Sequence, residues 1–398
     1  MSDETRLIGR QRGPVRRSLA RAAVVVAVAA GARAAPAAAS PDPGHARTRA
    51  AIDAAVRGGI PGVTAQAHDN RGPWNAASGI GDLREHTPRG AHDRFRAASI
   101  TKTFVATVVL QLEAEGKLDL DDSVGQWLPG VVAGHGHDGD RITVRQLLNH
   151  TSGIYDYTDD PGVVRMYFTP EFFKHRHRTW TPRELVAVAT RHKPDFAPGK
   201  GRRYSNTNYL LAGLIIEKAT GHPYGDEIRR RVIEPLGLRA TSVPGTNPTV
   251  PGPSSRAYSK LSELSKASRK PEGRTYDVTE LNPSAAGASG EMISDAADLN
   301  RFYSALLRGR LLPKKQLAEM KRTVPADGDE AGGGRYGLGL LRLKLRCGTV
   351  VWGHGGGIHG SLSLALTTTD GRHALTFNFN GDWAGGQDRI MEAEFCPQ

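Results

Sequence analysis

Cysteine is scarce: two residues in a chain of 398. That count cannot build a disulfide-scaffold mini-protein or a four-thiolate zinc site. Long apolar runs are missing as well. Beyond residue 30 the longest spans 209–216, far short of the roughly 20 residues that cross a bilayer as a helix, so no membrane span is expected. Aromatics make up 6% of the chain, and the basic run Arg229-Arg230-Arg231 has none interleaved to stack bases. Nucleic-acid binding is not expected either. What is plentiful is ordinary globular material. A hydrophobic fraction of 38% beside 24% charged residues is too apolar for a disordered chain, and the length suits one large domain or two ordinary ones.

The first forty residues differ in character. Arg10, Arg12, Arg16, Arg17 and Arg21 precede a short apolar core at 22–30, and small-residue cleavage patterns follow at Ala32-Arg33-Ala34 and Ala37-Ala38-Ala39. This is the composition of an export signal over 1–39, with a secreted mature protein as the expectation. Losing that segment removes seven Arg and two acids, Asp3 and Glu4, and lowers the net charge from +12 to about +7. A moderately basic exported protein is drawn to anionic polymers such as a cell wall; the plainer alternative is that the charge serves solubility alone. In an oxidising compartment Cys347 and Cys396, the only pair, are expected to form one disulfide, the alternative being two buried free thiols.

Apolar spacing predicts a helix over 46–57, strands over 63–67 and 76–80 with a turn near 70–73, and a longer helix over 101–115. Loop and helix dominate from 117 to 265, with helices expected over 142–148, 182–191, 208–220 and 224–233. From Tyr336 the period falls to two. Leu338, Leu340, Leu343 and Leu345 mostly alternate, as do Leu362, Leu364 and Leu366, then Phe377 and Phe379; Asp370-Gly371 makes a hairpin turn, and 387–395 a closing helix. The expected fold is α/β (α+β): one antiparallel sheet built from both termini, flanked by helices, with a mostly helical inserted subdomain. The expected boundaries are a signal peptide at 1–39, a sheet subdomain from 40–116 and 275–398, and a helical subdomain at 117–274. The Pro- and Ser-rich stretch 244–268 reads as a loop.

Three short motifs carry the chemistry. Ser99-Ile100-Thr101-Lys102 opens an apolar helix directly after a strand. A serine hydroxyl is a weak nucleophile until a base removes its proton, and a spacing of three on a helix puts Lys102 on the same face. Free N–H groups and positive dipole at a helix start suit a developing oxyanion and loosen the lysine's hold on its proton. Tyr204-Ser205-Asn206 is the second motif. A phenol acts as a base beside cations that stabilise its phenolate, and Asn206 can accept from Lys102 while donating to a substrate carbonyl. On its own the tripeptide also fits a turn leading into a helix. His354-Gly355-Gly356-Gly357 is the third. Its glycines let a substrate lie against a strand edge, the Gly357 N–H offers an oxyanion donor, and His354 can bond or electrostatically tune the tyrosine. A β-bulge with a packed histidine is the bland alternative.

Serine with lysine three on, Tyr-x-Asn roughly a hundred residues later and His-x-Gly near the end follow in order. The chain thereby resembles the penicillin-recognising serine hydrolases, more narrowly the secreted D-alanyl-D-alanine carboxypeptidases related to class C β-lactamases. The likeness runs through 95–102, Leu147-Leu148-Asn149-His150-Thr151-Ser152-Gly153, 204–213, Glu234-Pro235-Leu236-Gly237-Leu238 and Trp352-Gly353-His354, and the two cysteine positions are similar too. It implies Ser99 as acylated nucleophile, Lys102 as its activating partner and Tyr204 as general base and acid, jointly with Lys102. It also implies Asn206 against the substrate amide, Gly355 and Gly356 in the substrate-binding edge, and the N–H groups of Ser99 and Gly357 as the oxyanion hole. A peptidoglycan stem peptide or a β-lactam is the implied partner, bound by a monomer that needs neither cofactor nor metal.

One departure stands out. The middle residue of the third motif is commonly Thr or Ser, whose hydroxyl helps bind the substrate's C-terminal carboxylate; here it is Gly355. A missing charge-assisted hydrogen bond costs about 1.5–3 kcal/mol of recognition. Arg342 and Arg346 are candidates to compensate. Otherwise the glycine favours relatives acting as D-aminopeptidases or esterases, which do not require that carboxylate. The leading expectation is a secreted D-alanyl-D-alanine carboxypeptidase working through an acyl-enzyme. Its alternatives are a D-aminopeptidase, esterase or β-lactamase on the same scaffold, or a non-catalytic β-lactam or cell-wall binder. Other features carry less. His135, His137, Asp138 and Asp140 have metal-ligand chemistry but read as solvated loop. Gly332-Gly333-Gly334-Arg335-Tyr336-Gly337 formally fits a dinucleotide fingerprint without a strand before it. His150 reads as structural.

Overall fold

Period-two spacing at both ends of the chain resolves into one sheet. The computed structural model describes residues 44–261, 273–326, 334–383 and 385–396, all within the unit Asp42–Gln398. Among them nine strands pair antiparallel: β1 Gly62–Asp69, β2 Gly72–Asp82, β3 Thr87–Pro88, β4 Val324–Pro325, β5 Arg335–Tyr336, β6 Leu341–Lys344, β7 Val350–Ile358, β8 Ser361–Thr368 and β9 Ala374–Phe379. The order is β4-β5-β6-β7-β8-β9-β1-β2-β3. The N-terminal hairpin therefore joins the C-terminal strands through β1 and β9, with Ala65 opposite Phe377. This is the expected sheet, built from both termini and flanked by helices.

Both faces of the sheet are covered. Val63, Ala65, Ala67, Leu375, Phe377 and Phe379 share one core with Ile52 and Ala55 of α1 (Ala46–Arg57), and with Ile390 and Phe395 of the closing helix, Gln387–Phe395. The alternate residues Thr64, Gln66, Thr376 and Asn378 are polar yet equally buried. A helix at Ala296–Leu307, absent from the sequence-based expectation, meets Gln66 and Thr376, while Thr64 Oγ1 donates to the Ala91 carbonyl at 3.1 Å and Asn378 Oδ1 accepts from Arg89 at 2.7 Å. From that helix Asn300 Nδ2 donates to the Gln66 carbonyl at 2.8 Å, and Asn300 Oδ1 accepts from Thr376 Oγ1 at 2.8 Å. Between the two sets of strands in the sequence comes the helical body. Its central helix α2 (Thr101–Ala114) is apolar nearly all round, with Phe104, Val105, Val108, Val109, Leu110 and Leu112 buried, as befits a helix enclosed by a core. It packs on α3 (Asn206–Thr220), which ends at Gly221 in the left-handed conformation that glycine adopts without strain.

Several expectations need correction. The strand expected from Tyr336 is interrupted, because Gly339 at φ +67° turns the chain beneath α2, where its carbonyl accepts from Thr103 Oγ1 at 2.7 Å. Leu338 and Leu340 consequently enter the helical core, and β6 starts only at Leu341. The helix expected over 224–233 is α-helical to Ile228 and π-helical across Arg229–Ile233. Of His135, His137, Asp138 and Asp140, read as a solvated loop, the first, third and fourth are exposed as expected and only His137 departs from that reading. They lie along a short hairpin and the turn after it, with His137 buried and its Nε2 3.1 Å from the His192 carbonyl. No group of three or more metal-ligating side chains occurs among the described residues, and no helix there is long and apolar enough to cross a membrane. Residues 1–39, 262–268 and 332–333, named above, lie outside the described residues.

The closing helix is clasped to α1. Cys347 and Cys396 are bonded, S–S 2.05 Å, which ties the end of that helix to the turn between β6 and β7. Glu394 accepts from Thr48 Oγ1 at 2.7 Å and lies 3.1 Å from His45 Nδ1 and 2.7 Å from His373 Nε2. Burial pushes this carboxyl up, but hydrogen bonds from His373, Thr48 and His45 outweigh it and leave the pKa below the ordinary glutamate value. A depressed folded-state pKa contributes stability that is present above the unfolded value and lost as pH falls through the folded one. Glu394→Gln is expected to destabilise the protein by about 2 kcal/mol at pH 7. In thermal melts the gap to the parent protein should narrow as pH drops below about 4.3. A gap that stays constant down to pH 3 would contradict this account.

Candidate active site

The chain reaches Ser99 through the short pairing of Phe95–Arg96 with Ile293–Ser294, then enters a single 3₁₀ turn, Ala98–Ile100, that runs straight into α2. Ala98 holds φ +51°, a left-handed backbone that side-chain-bearing residues seldom adopt outside constrained sites. Ser99 stays half-buried, while Lys102 one turn on is completely buried. The spacing of three acts as expected: Lys102 Nζ donates to Ser99 Oγ at 3.1 Å. It also donates to Asn206 Oδ1 at 2.8 Å and to the Ser289 carbonyl at 2.7 Å. Those three acceptors match the three donors of an ammonium.

Asn206, the first residue of α3, accepts from the lysine as expected. Its NH₂ end departs from expectation. It donates to Asp156 Oδ2 at 2.9 Å and to Thr158 Oγ1 at 3.4 Å, so the donor assigned to a substrate amide is already engaged within the protein.

Tyr204 is half-buried, and the Lys102 Nζ lies 4.8 Å from its ring centre. Its ring packs 4.2 Å from His150 and meets Tyr336 edge-on at 6.4 Å. His150 is therefore one wall of the site. It sits at φ +63°, fully buried, and its Nδ1 accepts from the Ser205 N–H and lies 3.2 Å from Asn208 Nδ2. Burial, then the charges of Arg202 and Lys102, hold His150 well below the usual histidine range. It stays neutral and acts as an acceptor.

His354 is buried too. Burial and then the Lys102 charge bring its pKa down to about 3, so it is neutral at physiological pH. Its Nδ1 lies 2.5 Å from the Gly355 carbonyl, which can only accept. Nδ1 thus carries the proton and Nε2 accepts from Tyr336 Oη at 2.7 Å. The tyrosine bonded by His354 is Tyr336, from the glycine run set aside as a false fingerprint; Tyr204 is 6.5 Å away between ring centres. Arg202 stands with its guanidinium 4.8 Å from the Tyr336 ring. The two arginines that were candidates to compensate for Gly355 are engaged elsewhere: Arg346 pairs with Glu392 at 2.6 Å, and Arg342 lies 5.9 Å from the Trp352 ring.

The third-motif glycines differ in kind. A methyl group on Gly356 would stand 2.1 Å from the Ala97 carbonyl, so only glycine lets β7 lie against the turn that carries Ser99. Gly355 has room, its nearest would-be neighbours being Leu364 Cδ1 at 3.7 Å and the Ser363 carbonyl at 3.8 Å. Gly357 is exposed. β6 pairs with β7 only as far as Gly353, which leaves 354–358 as an edge beside the turn.

A hydroxyl at a helix start, held by a buried lysine beside a tyrosine and a strand edge, is the site of a serine hydrolase that works through an acyl-enzyme. The family described as Beta-lactamase matches residues 47–391, and the chain belongs to this β-lactamase/transpeptidase-like serine hydrolase family, homologous to penicillin-binding proteins. It is similar to a D-stereospecific amidohydrolase from a Streptomyces species, at 57% identity and a TM-score of 0.83, covering 89% of this chain and 99% of that one. The D-amino acid amidase of Ochrobactrum anthropi SV3 matches at 32% identity and a TM-score of 0.74, over 87% and 97% of the two chains. Penicillin-binding protein 4* of Bacillus subtilis (strain 168) is 28% identical over 77% of this chain and 65% of its own length. The chain spans about half to two thirds of the length of the curated relatives it matches first.

Proposed function

We propose that the protein hydrolyses D-amino-acid amides or the amino-terminal bonds of D-residue peptides, as a D-aminopeptidase or amidase, through an acyl-enzyme on Ser99. One observation carries this reading. His354 is neutral and engaged with Tyr336, and Gly355 brings no hydroxyl, so the third motif supplies neither of the usual holds on a carboxylate beyond the scissile bond. The similarity to two D-specific amide hydrolases supports it.

In this reading Ser99 Oγ attacks the carbonyl carbon while its proton passes to the Lys102–Tyr204 pair, and the N–H groups of Ser99 and Gly357 take up the oxyanion. The C–N bond breaks and the amine leaves with that proton. Water then attacks the ester, giving a proton to the same pair, which returns it to Ser99 as the acid departs. The mature enzyme works outside the cytoplasm as a monomer, drawn to the wall by its basic charge; the composition of 1–39 and the Cys347–Cys396 bond support export. A second reading, a D-alanyl-D-alanine carboxypeptidase on peptidoglycan peptides, is favoured by Arg202, whose charge is near enough to act on His354.

A substrate panel decides between them. At pH 7, kcat/KM for a D-amino-acid amide is expected to exceed that for a D-alanyl-D-alanine peptide, an acetyl ester and a chromogenic cephalosporin. Preference for the free-carboxylate peptide overturns the first reading in favour of the second. Because Gly355 has room for a side chain, Gly355→Ser should shift the preference toward that peptide by roughly tenfold or more. An unchanged ratio would remove the third motif as the basis of selectivity.

A further inference from the structure

The two ends of the Asn206 amide are nearly equal in size, so packing alone does not choose which one faces Lys102. The choice has a chemical consequence. Among the described hydrogen bonds of Lys102 Nζ, two go to Asn206 Oδ1 and the Ser289 carbonyl, which can only accept, and one to Ser99 Oγ, which can also donate. A neutral amine keeps two N–H groups and one lone pair. With both N–H groups drawn to oxygens that cannot donate, the lone pair falls toward Ser99, which has a proton to give. A reversed amide would instead donate Nδ2–H into that lone pair and block the base.

Asp156 stands on the far side of the amide. It is buried, just ahead of the 3₁₀ turn Tyr157–Asp159; its Oδ2 accepts from Asn206 Nδ2 at 2.9 Å and its Oδ1 from the Thr158 N–H at 2.9 Å. Both carboxyl oxygens are acceptors. A reversed amide would set Asn206 Oδ1 against Asp156 Oδ2, lone pair against lone pair, in a buried site where an unmatched polar contact is most costly. We propose that Asp156 is a positioning residue for acyl transfer: it fixes the polarity of the Asn206 amide and, through it, aims the Lys102 lone pair at Ser99.

The inference rests on the reading of Lys102 as acceptor of the serine proton, and a double-mutant cycle tests the two separately. Hydrolysis of a D-amino-acid p-nitroanilide is measured for the parent protein, Asp156→Asn, Asn206→Ala and the double variant. Asp156→Asn is expected to lower kcat about thirtyfold with KM little changed, because an amide at 156 tolerates either orientation of Asn206. In the Asn206→Ala background the same change should cost less than about threefold, since no amide remains to be oriented. Equal costs in both backgrounds overturn the proposal, because a purely structural role for Asp156 would be felt with or without Asn206. Should Asp156→Asn fail to fold by circular dichroism, Asp156→Ser, smaller and able both to accept from Nδ2 and to donate to Oδ1, replaces Asp156→Asn. For that pair too, equal costs in both backgrounds overturn the proposal; a loss confined to the Asn206 background supports it. A Ser99→Ala enzyme that still turns over substrate defeats the serine reading itself; equal costs beside an inactive Ser99→Ala defeat only the role of Asp156.

Discussion

Ser99→Ala is expected to cut turnover of a D-amino-acid amide by at least about ten-thousandfold with no loss of fold. The hydroxyl is the one partner of Lys102 Nζ, among its described hydrogen bonds, that can become a nucleophile; the other two are an amide oxygen and a backbone carbonyl. Alanine fits the 3₁₀ turn that Ser99 occupies, and the lysine keeps its bonds to Asn206 and Ser289. Melting temperatures of the two proteins should therefore agree closely. Mass spectrometry of the intact protein after exposure to penicillin supplies a second readout. The parent protein should gain the mass of the opened drug on Ser99, and the alanine variant should gain nothing. An adduct of equal occupancy on the variant would move the nucleophile elsewhere.

Tyr204→Phe should lower kcat by at least about a hundredfold, the usual loss when a positioned general base is removed. Phenylalanine keeps the ring against His150 and beside Lys102 Nζ, so the packing of the site survives and only the hydroxyl is lost. The drop should fall on kcat more than on KM, and the melting temperature should hold. A variant as fast as its parent would leave the proton transfer to Lys102 alone, with Tyr204 reduced to a wall of the cleft.

The members of this site that are legible in the sequence are those inside a short local pattern. Ser99 and Lys102 stand one turn apart on a helix that announces itself by apolar spacing, and Tyr204 with Asn206 opens the next. The rest depends on contacts that only the folded topology makes. The Ser289 carbonyl reaches Lys102 across 187 positions, and Asp156 reaches Asn206 across 50. His150 occupies a left-handed backbone that sequence usually signals by glycine, and a histidine conceals it. Tyr336 lies at the end of a glycine run whose spacing suggests a different chemistry. The sheet was legible from alternation at both ends, yet alternating polar residues such as Gln66 and Thr376 carry the same pattern whether they face water or a hydrogen-bonding helix. That ambiguity hides the helix at Ala296–Leu307.

The adjacent glycines at 355 and 356 have unequal evolutionary futures. Any side chain at the second collides with the Ala97 oxygen, so drift there is closed without rebuilding the turn. The first is an open door. From two of the four glycine codons a single nucleotide change leads to serine, and from all four to alanine, whose β-carbon would have room beside Leu364. If the third motif sets selectivity as proposed, one codon is enough to move this scaffold between substrates with and without a terminal carboxylate while Ser99, Lys102 and Tyr204 stay as they are.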